Sequence, residues 1–253
     1  MKVFDQRLIE FKTCDNKTMN NIDTTSIVAL LSANAEWNAV RKAFPRAEKT
    51  QYPYGAYFKV DIRGREVTFV QGGWGKISAA ASAQFAIEHF HTKLVANLGT
   101  CGGFSGSIEC GQTILVNETI VYDIIEQMSD PDEAIQFYST RLDLSWLKQP
   151  FPQPVILGRL LSADRDIVPT DIPRLKSKFK AIAADWESGS IAWVCQRNQI
   201  PCLILRTVSD VVDETGSEFY DQCGGFAQKA ADIMANLLEN LPGWLECCDK
   251  ILK

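Results

Sequence analysis

Three acidic residues stand at positions in the sequence where enzymes commonly place catalytic groups. Asp210 comes shortly after the apolar run Cys202–Leu205, with Ser209 directly before it. Glu187 lies among small and apolar residues, where an unpaired carboxylate would be costly. Glu36 lies about one turn into a predicted helix that follows an apolar strand. Because carboxyl groups serve as general acids and general bases, these three residues are the first candidates for catalysis.

For each of these acids a structural explanation competes with a functional one. The helix macrodipole favours an acid in the first turn, and for Glu36 taken alone we prefer that explanation. Asp210 could likewise cap a following helix. A function is favoured at Asp210 because ligands of open α/β sheets bind outside the carboxyl ends of the strands. It is favoured at Glu187 because its surroundings offer little else to stabilise a charge.

The elements that must position these acids follow from the apolar pattern. Short apolar runs predict strands over Ser26–Leu31, Ala56–Ile62, Val67–Gln71, Leu94–Leu98, Thr113–Asn117, Ile120–Ile125, Val155–Leu161, Ala181–Ala184 and Cys202–Leu205. Helical periodicity and capping residues predict helices from about Ala35, over Ile77–Phe90, over Asp171–Phe179, after Ser188, and over Glu218–Leu241, where Pro242 and Gly243 should end the last one. Alternating strands and helices predict an α/β fold, a three-layer α/β/α sandwich. Residues 25–253 are expected to form this single domain, behind a polar N-terminal extension of residues 1–24.

Composition excludes several classes of function. A chain of 253 residues with 46% hydrophobic content can bury the core of one domain. The net charge of −5 and the dispersed basic residues argue against nucleic-acid binding, and no apolar run approaches a membrane span. Eight cysteines without paired CxxC spacing, and an N-terminus without a signal-peptide core, favour reduced thiols and a cytoplasmic location. With His89 and His91 as the only histidines, we expect neither a metal site nor a histidine-based triad.

Two glycine-rich stretches, Gly72–Gly75 and Gly99–Gly103, are predicted to be turns. A turn of this kind lets backbone amides approach a ligand closely. Neither stretch matches the dinucleotide fingerprint GxGxxG or the phosphate loop GxxxxGK[ST]. A tight structural turn therefore explains each stretch about as well as a binding loop does.

Six segments, in this order along the chain, resemble the motifs of one family. They are SANAE36 after the first strand, GGWGK76 before an alanine-rich helix, NLGTCGG103, SADRDI167, ADWES188 and RTVSD210. Over roughly Ile27–Leu241 the chain resembles the nucleoside phosphorylase and nucleosidase superfamily, most closely the methylthioadenosine/adenosylhomocysteine nucleosidases. The resemblance implies a central mixed sheet and hydrolysis of the N-glycosidic bond of a purine nucleoside or a 5′-substituted derivative. It also implies that no metal or cofactor is needed, and that the protein forms a homo-oligomer, usually a dimer.

The resemblance assigns roles to individual residues. Asp210 would protonate the purine at N7, or hold the proton there, with Ser209 orienting that carboxylate. Glu36 would activate a water on the face of the sugar opposite the base. Glu187 would accept hydrogen bonds from the ribose hydroxyls, and Trp186 would lie against the sugar where relatives commonly have methionine. The remaining residues placed at the substrate are Thr100, Cys101, Gly102, Asp166, Ile167 and Asp185. An acid on one face and a base-activated water on the other suit an oxocarbenium-like transition state.

The main alternative is phosphorolysis by a purine nucleoside phosphorylase. Phosphorylase relatives bind phosphate with two arginines, at positions that here hold the SANAE36 loop and Asn97. Neither position offers the bidentate fork that favours phosphate binding, and Glu36 would repel the anion, so hydrolysis is favoured. A non-enzymatic nucleoside-binding protein on the same fold is less favoured because all three acids are retained.

Two residues depart from the nucleosidase pattern. Asp166 stands where a phenylalanine stacks on the purine in the nucleosidases, and Asp185 stands where relatives often have glutamate. An acid cannot replace stacking, but it can accept hydrogen bonds from a base that carries N–H donors. The sequence therefore supports the nucleosidase class more strongly than the methylthioadenosine substrate.

Overall fold

The computed structural model describes residues 26–213, 215–217 and 225–252, so the predicted extension of residues 1–24 lies outside the described residues. The strands are β1 Ser26–Leu31, β2 Thr50–Tyr52, β3 Gly55–Ile62, β4 Arg65–Gln71, β5 Thr92–Phe104, β6 Thr113–Val121, β7 Ser139–Arg141, β8 Ile156–Ser162, β9 Ala183–Asp185 and β10 Cys202–Val212. The helices are α1 Asn34–Ala43, α2 Gly75–Phe90, α3 Pro131–Phe137, α4 Ile172–Phe179, α5 Ser188–Arg197, α6 Gly225–Cys247 and α7 Asp249–Leu252.

The strands form one mixed sheet. β1 pairs in parallel with β4 and with β5, and β5 pairs in parallel with β10. From β4 the sheet continues through β3 to β2 as antiparallel pairs. On the other side β5, β10, β6, β8 and β9 pair in succession, and β9 returns to β5, so these five strands close a ring. The sequence predicted the mixed sheet but not this closure.

Helices cover both faces of the sheet, which confirms the predicted α/β/α arrangement. On one face α1 packs with α6, where Trp37 and Val40 join Met234 and Leu237 in a buried cluster. On the other face α2 packs with α5 and presents small buried residues such as Ala83 to the sheet. Burial of such apolar surface contributes roughly 25 cal/mol per Å² and is what holds the layers together.

The stretch Gly99–Gly103 is not a turn, and the prediction of a turn there was wrong. β5 runs through it to Phe104 and stays paired with β10 and β9. A Cβ atom at Gly99 would lie 2.2 Å from Arg206 Nη1 and 2.5 Å from Glu36 Oε1. Glycine is needed here because two charged side chains approach the strand, not because the chain reverses.

β10 is also longer than the predicted strand Cys202–Leu205, so Asp210 lies inside a strand and not after it. The pairing of β10 with β5 shifts register between Val208 and Asp210, which leaves Ser209 as an extra residue. Bulges of this kind commonly re-aim side chains beside functional sites. The bulge places Ser209 and Asp210 together on the wall of one cavity.

The predicted end of the last helix at Pro242 was wrong, because α6 continues to Cys247. Trp244 is buried and its ring lies 5.1 Å from that of Phe151, while Gly243 packs against Pro152. This packing outweighs the roughly 3 kcal/mol that an interior proline costs a helix. The predicted start of the helix at Glu218 lies outside the described residues.

Elsewhere the differences are smaller. The predicted hairpin is confirmed as β3 and β4. The two strands predicted between Thr113 and Ile125 are the single strand β6, and segment 126–153, over which no element was predicted, contains α3 and β7. In the part of the chain that the structure describes, no helix has the length and apolar character that crossing a membrane requires.

Candidate active site

One cavity is lined by all of the catalytic and substrate-binding residues that the sequence predicted. Its volume is about 530 Å³, within the range usual for small-molecule sites. The predicted residues that line it are Glu36, Thr100, Cys101, Gly102, Asp166, Ile167, Asp185, Trp186, Glu187, Ser209 and Asp210. They come from the first turn of α1, from β5 and β10, from the segment after β8, and from the end of β9 with the segment that joins it to α5.

Glu36 is held rigidly on one wall of the cavity. It stands in the first turn of α1, where its Oε2 atom accepts a hydrogen bond of 3.1 Å from the Ala33 amide. Its Oε1 atom accepts hydrogen bonds from the Thr100 amide at 2.6 Å and from the Thr100 hydroxyl at 2.9 Å. The close approach to β5 that Gly99 permits is what brings these donors within reach. Glu36 therefore does cap its helix, but it also faces the cavity.

Arg206 lies buried beneath this wall and joins two of the acids. Its Nη1 atom is 3.6 Å from Glu36 Oε1, and its Nε atom is 3.0 Å from Asp185 Oδ2. Its Nη2 atom donates a hydrogen bond of 2.9 Å to Asn97 Oδ1. Burial lowers the pKa of Arg206, but the charges of Asp185, Glu36 and Glu187 more than offset it, and the net shift is upward. The guanidinium is thus a fixed positive charge that stabilises the buried carboxylates.

Asp185 supports the site from within this network. Its Oδ1 atom accepts a hydrogen bond of 2.6 Å from the Ser162 hydroxyl. Its Oδ2 atom accepts a hydrogen bond from the Ser188 hydroxyl and forms the ion pair with Arg206. The Ser188 amide also donates to this carboxylate. Asp185 lines the cavity, but its oxygens are already engaged by protein groups. Its position therefore suits orientation of neighbouring residues better than direct recognition of a ligand.

Glu187 differs from the other acids because few neighbouring groups offset its negative charge. Its Oε1 atom accepts a hydrogen bond of 3.1 Å from the Gly75 amide at the start of α2. Burial raises the pKa of Glu187 to about 8, with the nearby charge of Asp185 adding to the effect, while Arg206 and the Gly75 hydrogen bond oppose it. At neutral pH this carboxyl group therefore holds a proton and can donate as well as accept a hydrogen bond.

Asp210 stands between two serine hydroxyls. Ser209 donates a hydrogen bond of 2.6 Å to Asp210 Oδ1, and Ser217 donates one to Asp210 Oδ2. Ser209 Oγ is also 3.2 Å from the carbonyl oxygen of Cys101, but one hydroxyl proton serves one acceptor at a time, and the contact with Asp210 is shorter. These contacts fix the carboxyl group in one orientation on the cavity wall.

The wall between Glu36 and Asp210 is formed by β5. The thiol of Cys101 is buried there, and burial, followed by the charge of Asp185, raises its pKa well above the ordinary value. It is therefore a neutral packing group and not a nucleophile. A Cβ atom at Gly102 would lie 2.6 Å from Ile167 Cδ1, so the glycine lets that side chain close the floor of the cavity.

The rim of the cavity is more open. Asp166 is exposed and stands beside Arg165, which also lines the cavity. Trp186 is half-buried, and its ring lies 5.1 Å from the ring of Trp74. Sequence reasoning proposed Asp166 and Trp186 for the site but did not include Trp74 or Arg165.

The most important residue that sequence reasoning left without a role is Arg206. The sequence did contain a signal, because an arginine inside an otherwise apolar strand must be paired when it is buried. Ser188 and Ser217 were also missed, since serines at these places carry no distinctive pattern. Among the described residues, no group of three or more histidine, cysteine, aspartate and glutamate side chains is arranged to hold a metal ion.

Comparisons with known proteins agree with this geometry. Residues 35–241 match the family model described as the Phosphorylase superfamily. The 5′-methylthioadenosine/S-adenosylhomocysteine nucleosidase of Geobacillus sp. (strain WCH70) is 24% identical over 228 residues, which are 85% of this chain and 98% of that protein. The Staphylococcus haemolyticus protein with the same name is 25% identical over 73% of this chain and 86% of its own length.

Solved structures show the same fold. The nucleosidase of Campylobacter jejuni superposes with a TM-score of 0.71 at 19% identity and covers 88% of this chain and 99% of that one. The futalosine hydrolase of Helicobacter pylori superposes with a TM-score of 0.73 at 20% identity and covers 86% and 97% of the two chains. A family model matches most of this chain, and each of the six motifs contributes residues to the cavity, so the chain belongs to the phosphorylase superfamily.

Proposed function

We propose that this protein is a nucleosidase that hydrolyses the N-glycosidic bond of a purine nucleoside or a 5′-substituted derivative, since its relatives are named 5′-methylthioadenosine/S-adenosylhomocysteine nucleosidases. The observation that carries the proposal is the convergence of Glu36, Glu187 and Asp210 on one cavity, each held in a different environment. Glycoside cleavage needs such a division of labour, because one group must assist the leaving base while another activates water.

The leaving base belongs at Asp210. A protonated carboxyl group there donates a hydrogen bond to N7 of the purine, which draws electrons from the glycosidic bond as it breaks. Ser209 and Ser217 orient the two oxygens of this carboxyl group, so little reorganisation is needed during the reaction. Binding of the base at the oxygen held by Ser217 would require that hydroxyl to turn away or to share its proton.

The attacking water belongs at Glu36. Its carboxylate is anchored by two donors from Thr100 and by the Ala33 amide, and Arg206 places a positive charge behind it. As the oxocarbenium-like centre forms at C1′, Glu36 takes a proton from the water, whose oxygen bonds to C1′. The base leaves with the proton delivered to N7, and the products are the free purine and the free sugar.

The sugar belongs at Glu187. Its Oε2 atom can form hydrogen bonds with ribose hydroxyls while Oε1 keeps its hydrogen bond from the Gly75 amide. When the sugar becomes cationic in the transition state, an ionised Glu187 stabilises it more than a neutral one does. Trp186 lies directly before Glu187 and covers the sugar from the rim.

Hydrolysis is favoured over phosphorolysis because Arg206 is already fully engaged by other protein groups. Its nitrogen atoms are all engaged by Asp185, Ser188, Asn97, Thr100 and Glu36. A phosphate dianion placed next to C1′ would meet the carboxylate of Glu36 and no free guanidinium fork beneath it.

We also propose that the protein is a cytoplasmic homodimer. The described cysteines are free thiols, which suits a reducing compartment. Several large apolar side chains are strongly exposed, among them Ile77, Ile125 and Met128. Such exposure favours a partner surface, and light scattering on the purified protein measures the oligomeric state directly.

The function is tested by measuring release of free base from a nucleoside panel with and without inorganic phosphate. The panel contains methylthioadenosine, adenosylhomocysteine, adenosine, inosine, guanosine and uridine. Release that does not depend on phosphate is the expected result. Release only with phosphate would make the protein a phosphorylase, and tight binding with no release from any compound would make it a nucleoside-binding protein.

A further inference from the structure

Two tryptophans at the rim of the cavity form a pair, of which the proposed chemistry uses only Trp186, as a cover over the sugar. Trp74 ends the loop between β4 and α2, and Trp186 stands in the segment between β9 and α5. Their ring centroids are 5.1 Å apart, with an angle of 32° between the ring planes. Both rings line the cavity, yet Trp74 is 71% exposed.

The position of the pair relative to the three acids can be traced through the backbone. Trp74 is followed by Gly75, whose amide is 3.1 Å from Glu187 Oε1, and Trp186 directly precedes Glu187. The two indoles therefore flank the carboxyl group assigned to the sugar. Asp210, with its two serines, marks the other end of the substrate, where the base would lie. A group attached to the sugar on the side away from the base would thus meet the indoles.

The exposure of Trp74 argues that its ring is not there to complete the core. Its contact with Trp186 leaves most of the indole surface uncovered in the described part of the molecule. Neighbouring Ile77 is even more exposed, at 85%, but it does not line the cavity. Trp74 thus combines a large uncovered apolar ring with direct access to the site.

We propose that the pair Trp74 and Trp186 binds a planar aromatic group carried by the 5′ carbon of the nucleoside. The proposal rests on the proposed function, because it takes Glu187 as the sugar-binding end of the site. Aromatic rings prefer offset or tilted contacts with centroids about 4.5–7 Å apart, and a substituent ring can extend the observed pair in that geometry. A short alkylthio group would leave most of the exposed indole uncovered.

The proposal distinguishes planarity from simple bulk. We would compare two substrates that carry the same purine and differ only in the 5′ group, phenylthio against cyclohexylthio. The two groups have similar size and apolar character, but only phenyl presents a flat π face. The wild-type protein should prefer the phenylthio compound in kcat/KM by about two- to twelvefold, the range expected for an aromatic pair.

Variants at the rim show which residue is responsible. Trp74→Ala should bring the ratio of the two kcat/KM values close to one, and Trp74→Phe should keep most of the preference. Ile77→Ala is the matched control, since it removes an exposed apolar side chain from the same helix end without touching the cavity, and it should keep the full ratio. A trimethylammonioethyl-thio compound is included because indole faces also bind cations.

Four outcomes would overturn the proposal, and three of them concern the wild-type protein and Trp74→Ala. These are equal kcat/KM values for phenylthio and cyclohexylthio in the wild-type protein, an unchanged ratio in Trp74→Ala, and a preference for the cationic compound over the phenylthio one. Loss of the ratio in Ile77→Ala together with a change in oligomer mass would also overturn it, by assigning the patch to a subunit contact.

Calorimetric binding of the same compounds separates this inference from the proposed function. If no compound releases base but phenylthio still binds more tightly than cyclohexylthio and loses this advantage in Trp74→Ala, the hydrolase proposal fails and the aromatic site stands. If base is released with no such preference, the hydrolase stands and the aromatic site fails.

Discussion

At the scale of single residues, the site places three carboxyl groups in three different environments. Glu36 is ion-paired with Arg206 and held by Thr100, Asp210 is held by two hydroxyls, and Glu187 is buried with one backbone hydrogen bond. Environments that differ this strongly are how carboxyl groups take different parts in one reaction. The environment of each acid, more than its position in the sequence, sets what it can do.

Asp210→Asn tests the assignment of the general acid. The change keeps the shape and the contacts with Ser209 but removes the ionisable proton, so we expect kcat to fall by about 10²–10⁴. Thermal unfolding of the variant should stay close to that of the wild-type protein. Steady-state kinetics with the best substrate measures the loss, and a rate within twofold of wild type would remove Asp210 from the mechanism.

Glu187→Gln tests the effect of burial on this acid. The pKa of Glu187 is raised from its ordinary value of 4.5 to about 8, so between these pH values the native state holds a proton that the unfolded chain has lost. Its contribution to stability is therefore present at low pH and declines as the pH rises from about 4.5 to about 8, by at most about 1.4 kcal/mol per pH unit. In Glu187→Gln this decline should disappear.

The same ionisation should govern activity. Because the ionised form stabilises the cationic sugar better, we expect kcat/KM of the wild-type protein to rise with pH through about 8, and the rise should be absent in Glu187→Gln. Chemical denaturation and kinetics over the same pH series check both statements. Parallel pH curves for the wild-type protein and Glu187→Gln would contradict them.

At the scale of elements, two neighbouring strands supply the centre of the site. β5 contributes Thr100, Cys101 and Gly102, and β10 contributes Ser209 and Asp210 through a bulge. The sequence indicated the residues but ended both strands too early, because glycine and polar residues in a strand look like a loop. Glycines in β5 instead make room for Glu36 and Arg206, which only the three-dimensional packing reveals.

Gly99→Ala tests this reading of β5. The new methyl group would clash with Arg206 and Glu36, so we expect kcat/KM to fall at least tenfold along with a loss of stability. Gly158→Ala on β8 is the matched control. Its new methyl group would lie 2.4 Å from Ile182 Cδ1, and neither residue lines the cavity. It should cost about 1–3 kcal/mol of stability with kcat/KM little changed in the folded protein. Equal effects of the two variants on kcat/KM would contradict the reading.

At the scale of the whole molecule, Arg206 connects the elements that carry the acids. From β10 it reaches Glu36 on α1, Asp185 at the end of β9, Ser188 at the start of α5 and Asn97 on β5. The site is therefore also a junction of the fold, and its stability and its chemistry depend on the same buried charge.

Arg206→Met tests this junction. It leaves Glu36 and Asp185 buried without their cation, and breaking a buried ion pair in this way typically costs about 3–5 kcal/mol. We expect that loss in urea denaturation, and a severe loss of activity. Arg206→Lys keeps the charge but not the fork and should recover part of the stability. Stability within 1 kcal/mol of wild type in the methionine variant, a margin well below the expected cost, would show that the network does not hold the fold together.

The sequence predicted the sandwich, the hairpin and eleven of the residues that line the cavity, because apolar periodicity and the six motifs report on them directly. It did not predict the closed ring of strands, the helix that continues through Pro242, or the network around Arg206. Ring closure depends on which distant strands pair, and the last two depend on tertiary burial that outweighs local preference.

The central claim is that water, and not phosphate, attacks the sugar. Its most direct test is to identify the sugar product when inorganic phosphate is present in excess over substrate. Phosphorus NMR should show phosphate unchanged, and free reducing sugar should equal the base released. Formation of a sugar 1-phosphate in step with base release would contradict the account, because Glu36 would then activate no water.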